Sequence, residues 1–307
     1  LPAVARNLDS LCRPYPERLA LQEARQRTLE SNTRLRQACA EVVRLLEGRG
    51  IPVIVLKGLP LNLTVHRDES VRPAHDFDLL VPLAQAVEAF TALQESGWQP
   101  ASGSPQPWER LENAADFRRG DLKLDLHWHL LREARQEWAD LEFWRDRRRL
   151  DFSTFQAYAL SPTHQLFHLL AVARREPHHL TRYLYDLHVF LREPEPFDLA
   201  EIHRLLRERH LLHRLQSLPL EMLKAAHLRA SGPTPLFDRL WSTVTRQRHD
   251  QLGEWNTALF PFFDYLIHFR QGQPPGWRLK PYLERRFQIG ANPWRQVVKK
   301  LIRLFTR

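Results

Sequence analysis

Cysteine is almost missing from this chain: 307 residues carry two, Cys12 and Cys39. Both sit in a stretch that reads as helix, so neither a disulfide framework nor a cysteine-rich zinc site is available, and a reducing cytoplasm is the expected compartment. Long apolar runs are missing too. No stretch approaches the roughly 18 uninterrupted apolar residues of a membrane span, and no charged-then-apolar leader opens the given sequence. Neither span nor export signal is expected, although residue 1 is Leu rather than Met and a short leader fits upstream of it. Lysine is scarce, 6 of 45 basic residues against 39 Arg, a skew that genomic base composition produces as readily as phosphate recognition. No internal repeat is present.

What the chain has is core-forming material. A hydrophobic share of 43% with nine Trp and sixteen Phe argues against disorder. At about 100–200 residues per domain, the length suits two domains, or one with large additions. Of the net charge of +9, residues 273–307 hold +8, nine Lys or Arg against one Glu. The body is nearly neutral and the tail is basic.

From Pro16 to Gly50 the spacing of Leu35, Ala38, Val42, Leu45 and Leu46 predicts an amphipathic helix that stops at Gly48-Arg49-Gly50. Ile51 to Leu56 reads as a buried strand, Lys57-Gly58 as a turn and Leu61 to His66 as a second helix. His75 to Val81 is the next strand and Ala84 to Ser96 the next helix, closed by Gly97. Residues 108–119 and 121–131 read as strands joined at Gly120-Asp121, and Phe152 to Ala159 as one more. After Ser161-Pro162, an N-cap with Pro in the first turn, the pattern is helical: about 162–175, 179–192, 198–209, 211–228, 236–250, 255–270 and 292–305. The composition shifts near residue 160. The expected domains are a helical segment 1–50, an α+β unit 51–160 and an all-helical domain 161–307.

Chemistry concentrates on two strands. In His75-Asp-Phe-Asp-Leu-Leu-Val81 the period of two places Asp76 and Asp78 on one face and Phe77, Leu79 and Val81 in the core. Two adjacent carboxylates need a cation, and hard divalent ions such as Mg²⁺ prefer such oxygens. In Leu122 to Leu130 the same rule gathers Lys123, Asp125, His127 and His129 on one face, opposite Leu122, Leu124, Leu126, Trp128 and Leu130. If the two strands lie side by side, Asp125 joins Asp76 and Asp78 as a third carboxylate that binds metal or accepts a proton. His127 and His129 otherwise read as ordinary solvent-facing strand residues, and a zinc site built from them lacks soft partners. Gly58 lets a phosphate approach the backbone, Lys57 adds a point charge, and Arg72 either lies in a surface loop or aims a guanidinium at phosphates.

Taken together, Val55-Leu-Lys-Gly58, Arg72-Pro-Ala-His-Asp-Phe-Asp-Leu-Leu-Val81 and Leu124-Asp-Leu-His-Trp128 resemble the uncharacterised nucleotidyltransferase family of the polymerase-beta-like superfamily. Leu160-Ser-Pro, His168 and Tyr183-Leu-Tyr-Asp186 extend the likeness, which covers about residues 35–230. The chain departs from the family pattern at His66, where a Tyr is expected, at His75 in place of Gly, and at Val172 in place of His. The resemblance implies an α+β fold, a polymerase-beta-like nucleotidyltransferase domain with a mixed sheet followed by helices. It implies a Mg²⁺ (or Mn²⁺) site on Asp76, Asp78 and Asp125, and nucleotide contacts from Lys57, Gly58, Arg72 and His127. The implied reaction moves a nucleoside monophosphate from an NTP, ATP foremost, to an acceptor hydroxyl on a small molecule, a peptide or protein, or RNA, releasing pyrophosphate. Two other functions stay open: a catalytically degenerate module that binds a nucleotide or partner, and a nucleic-acid-binding protein that uses the basic tail.

In that tail Asn292-Pro293 starts a helix whose stripe Trp294, Val297, Val298, Leu301, Ile302 and Phe305 is expected to pack on the helical domain. Arg295, Lys299, Lys300 and Arg303 lie largely off the stripe and are expected to flank the acceptor approach. An acidic partner, RNA or an anionic membrane surface would suit the same cations.

Overall fold

The computed structural model describes residues 18–101, 113–131, 134, 136–172, 180–192, 196–209 and 211. The long helix α1, Arg18–Glu47, buries the stripe Leu35, Ala38, Cys39, Val42, Val43 and Leu46. It closes where expected: Gly50 is left-handed at φ 74°, and the Ile51 N–H returns to the Leu46 carbonyl at 3.0 Å. Strand β1, Ile54–Leu56, leads into the single turn α2, Gly58–Leu61, and a π-helical turn, Asn62–His66. Strand β2 is Phe77–Leu80, and α3, Ala86–Glu95, follows a 3₁₀ turn.

Strands β3, Gln99–Pro100, β4, Ala114–Arg119, and β5, Leu122–His127, complete one side of the sheet. Gly120, at φ 62°, makes the β4–β5 turn. Helix α4, Leu141–Arg145, then introduces a hairpin of β6, Arg148–Asp151, and β7, Gln156–Ala159. The sequence reading had one strand there. Phe152 instead occupies the turn, stacked on Phe155 at 4.8 Å. Helices α5, Pro162–Val172, α6, Leu180–Phe190, and α7, Leu199–Glu208, end the described part. The helices expected at 211–228, 236–250, 255–270 and 292–305, and with them the basic tail, lie outside the described residues.

The result is a mixed α+β fold around a seven-stranded sheet of order β3-β4-β5-β2-β1-β7-β6. Pairs β1–β7 and β2–β5 are parallel, and the others antiparallel. Each face has its own core. Val55, Phe77, Leu79, Leu124 and Leu126 point to one side, against Val42 and Leu46 of α1 and Phe90 and Leu93 of α3. Ile54, Leu56 and Leu80 point to the other, against Leu166, Phe167 and Leu170 of α5, Leu187 of α6 and Leu205 of α7. That second face also carries the polar residues of the two chemistry-bearing strands. Among the described residues, no helix is long and apolar enough to cross a membrane.

Candidate active site

Strands β2 and β5 lie side by side, as the carboxylate cluster requires. Their parallel register sets Asp78 directly opposite Asp125, and the β4–β5 register sets Asp116 opposite Asp125 on its other side. On the antiparallel side, Asp78 faces Leu56 of β1, so the next residue, Lys57, is placed beside it. Lys57 gets there through an uncommon backbone, φ 50° and ψ −113°, and its Nζ meets Asp78 Oδ1 at 2.5 Å. From β5, His127 Nε2 reaches the same oxygen at 3.2 Å. Asn113 Nδ2, a donor, faces His127 Nδ1 at 3.4 Å, which assigns the imidazole proton to Nε2 and makes His127 a donor to Asp78.

Asp78 is 2% exposed. Burial pushes its carboxyl up, but the charge of Lys57 and the hydrogen bond and charge of His127 outweigh it and hold the group well below the ordinary carboxylate range. Asp125 goes the other way: burial, then the charge of Asp78, push it up to about 8, with Asp116 and Asp76 adding to the rise against Lys57. Burial lowers Lys57, but Asp78 and then Asp125 more than reverse this and raise it above its ordinary value. The like-charge repulsion foreseen from sequence is therefore relieved at Asp78 from within the chain and persists at Asp125.

The donor set fits a divalent cation. Asp78, Asp125 and His127 come within 4.8 Å of one another; the two carboxylates supply the hard oxygens, and the His127 Nε2 proton is directed at Asp78. The ammonium of Lys57 stands where positive charge is wanted, an internal stand-in for such an ion. Asp76, just before β2, lines the same cleft but is not part of that cluster. His129 lies beyond the end of β5 and does not join it either. It is buried, and its Nδ1 meets Asp140 Oδ2 at 2.7 Å, because the chain leaves the period-two pattern after His127 and turns into the core.

The loop ahead of β2 is pinned from two helices. Asn32 of α1 donates to the carbonyls of Glu69 at 2.6 Å and Arg72 at 2.9 Å, and accepts from the Ala74 N–H at 2.9 Å. Asn62 donates to the Arg72 carbonyl at 3.2 Å. Asp186 of α6 takes the Arg72 guanidinium in a two-pronged grip, Nε to Oδ1 at 2.7 Å and Nη2 to Oδ2 at 2.9 Å, and His66 Nε2 meets Oδ1 at 2.8 Å. Arg72 is thus no surface residue; it is 4% exposed. Gly58 has a reason beyond backbone freedom, since a Cβ there would stand 3.1 Å from Arg72 Nη1.

Lys57, Gly58, Arg72, Asp76, Asp78 and Asp125 all line one cleft, whose far wall is Leu169 and Val172 of α5 and Arg182 and Tyr183 of α6. Reading the sequence alone passes over Asp116, Arg182, Asn32 and the grip of Asp186. The first is visible as the strand partner of Asp125 once the hairpin at Gly120 is registered, and Asn32 as an amide one turn ahead of the apolar stripe that starts at Leu35. Asp186 and Arg182 gave no signal of contact, because 114 residues separate Asp186 from Arg72.

Comparison with known families gives the class of protein: this is a nucleotidyltransferase. More narrowly, the chain belongs to the uncharacterised nucleotidyltransferase family, whose model matches residues 1–223. No curated protein matches the chain. Among solved structures, the crystal structure of an antigenic nucleotidyltransferase-like protein from Paracoccidioides brasiliensis is similar at 14% identity and a TM-score of 0.42, covering 64% of this chain and 93% of that one.

Proposed function

We propose that the protein transfers a nucleoside monophosphate from an NTP, ATP foremost, to an acceptor hydroxyl, with Mg²⁺ (or Mn²⁺) held by Asp76, Asp78 and Asp125. The observation that carries this reading is the register of β2 and β5, which stands Asp78 and Asp125 side by side in a cleft rimmed by Lys57 and Arg72. The bound ion would neutralise phosphate charge and acidify the attacking hydroxyl. The chain's own residues do the rest. Lys57 and Arg72 bind phosphate oxygens, the first as a point charge and the second through Nη1, the guanidinium nitrogen that Asp186 does not take. The missing side chain at Gly58 lets the Arg72 guanidinium close on the backbone there, with Nη1 at the cleft wall. His127 fixes the Asp78 carboxylate through its Nε2 proton. As the acceptor oxygen bonds to the α-phosphorus, its proton passes to Asp125, and the bond from the α-phosphorus to the bridging oxygen breaks to release pyrophosphate. The apolar wall of Leu169 and Val172 excludes water from the reacting groups. The domain division 1–50, 51–160 and 161–307 goes with this reading, the helical part forming the far wall.

A second reading is favoured by one contact. Lys57 already neutralises Asp78 at 2.5 Å, and a chain that keeps this pair permanently would bind nucleotide without turning it over. Pyrophosphate release, measured with each of the four NTPs and candidate acceptors with Mg²⁺ and with EDTA, decides. Release that requires the metal supports transfer. Nucleotide binding with no release under any condition supports the degenerate module.

A further inference from the structure

Helix α6 does more than wall the cleft. Arg182 and Asp186 are four residues apart on it and therefore share a helix face, and each acts on the same space from a different direction. Arg182 lines the cleft beside Lys57, Gly58 and the carboxylates. Among the described residues its Nε has no hydrogen-bond partner and no carboxylate pairs with it. Asp186 reaches the cleft through Arg72. It ties Nε and Nη2 and leaves Nη1, which has no hydrogen bond among the described residues, beside Gly58 at the cleft wall.

We infer that α6 builds half of a polyphosphate clamp: Arg182 is a direct ligand of the triphosphate, and Asp186 is a positioning residue that holds Arg72 with Nη1 presented to the same group. This rests on the nucleotidyl-transfer reading and deepens it. A freely rotating Arg72 would lose side-chain entropy on binding, whereas the gripped one is already ordered. Asp186 cancels much of the net charge of Arg72, so Arg72 contributes directed N–H groups and Arg182 contributes charge. A guanidinium suits both roles better than an ammonium: on Arg182 the fork matches paired phosphate oxygens, and on Arg72 it holds Asp186 through Nε and Nη2 while Nη1 faces the cleft.

The test is the binding of inorganic tripolyphosphate, in the presence of Mg²⁺, by calorimetry, with no turnover needed. Arg182→Gln is expected to weaken binding about tenfold or more, the loss typical of one charge-assisted contact, with the melting temperature unchanged. Arg72→Gln and Asp186→Asn are expected to weaken it by similar factors. Their double variant should lose little more than either single one, because the two act as a unit. Should Asp186→Asn fail to fold, Asp186→Glu carries the same comparison, keeping the charge but displacing the grip. An unchanged affinity in Arg182→Gln, or an Asp186 variant that melts lower yet binds as wild type, overturns the inference while leaving the nucleotide reading intact. A wild-type protein that binds no tripolyphosphate overturns both.

Discussion

Lys57 sits in backbone territory that few residues other than glycine occupy, at a cost on the order of 1–3 kcal/mol. Its ammonium against Asp78 is what holds it there. The sequence marks Gly58 as room for a phosphate to approach the backbone, but in the structure the Arg72 guanidinium takes that room, and Lys57 bears the backbone strain. Gly58→Ala is therefore expected to push against Arg72 Nη1, which Asp186 prevents from swinging aside, and to weaken ATP binding about tenfold with little change in urea stability. Equal ATP affinity by calorimetry would show that the approach is slack. Asp125 gives the opposite signature. Its carboxyl is buried beside Asp78, so in EDTA the isosteric Asp125→Asn is expected to melt higher than wild type, and in Mg²⁺ this gain should shrink or reverse, because only the wild type draws stabilisation from the ion. Both carboxylates were legible from alternation in the two strands. Lys57's partner was not, since a positive φ at a non-glycine residue leaves no mark in the sequence.

Elements were legible in proportion to their periodicity. Helix α1, with its long stripe and glycine stop, lies within a few residues of the reading, and the hairpin at Gly120 turns where the glycine sits. The β6–β7 hairpin was missed because its outer strand, Arg148–Asp151, is a four-residue edge with a polar, arginine-rich sequence, and such a strand is made by pairing rather than by pattern. Leu61 to His66 was readable as helix, though not that Asn62–His66 winds as a π-helical turn that carries His66 to Asp186. Function at this scale depends on α1 as much as on the strands. Asn32→Ala removes three hydrogen bonds and leaves the Ala74 N–H and Arg72 carbonyl short of a partner in a buried loop. The expected cost is roughly 2–4 kcal/mol in urea unfolding, together with weaker nucleotide binding as the loop carrying Arg72 loosens. A change below about 0.5 kcal/mol, the scatter of surface substitutions, would mean that Asn62 alone secures the loop.

On the scale of the whole molecule, the Arg72–Asp186–His66 cluster joins the loop ahead of β2 to the helices that cover the sheet's second face. Burial raises the Asp186 carboxyl, but the charge of Arg72 and the hydrogen bonds from His66 and Arg72 more than offset this, so its folded pKa lies below the ordinary 3.8. A depressed acid stabilises the fold above its unfolded pKa and loses that contribution as pH falls through the folded one. Asp186→Asn should accordingly cost about 3–5 kcal/mol at neutral pH, and its deficit against wild type should close below pH 4; a deficit independent of pH down to 2 would contradict the ion pair. The α+β class and the two acidic strands were readable because strand alternation and short motifs are local, whereas the helical wall of the cleft is joined to the sheet side by contacts more than a hundred positions apart, Arg72 and His66 to Asp186. The measurement that bears most directly on the central claim is transfer of label from α-³²P-labelled NTP to cell-extract acceptors by wild type and by Asp78→Asn. The account expects Mg²⁺-dependent labelling by wild type and a loss of at least a hundredfold in Asp78→Asn, about 2.7 kcal/mol of barrier or more. Equal labelling by the two proteins would contradict it.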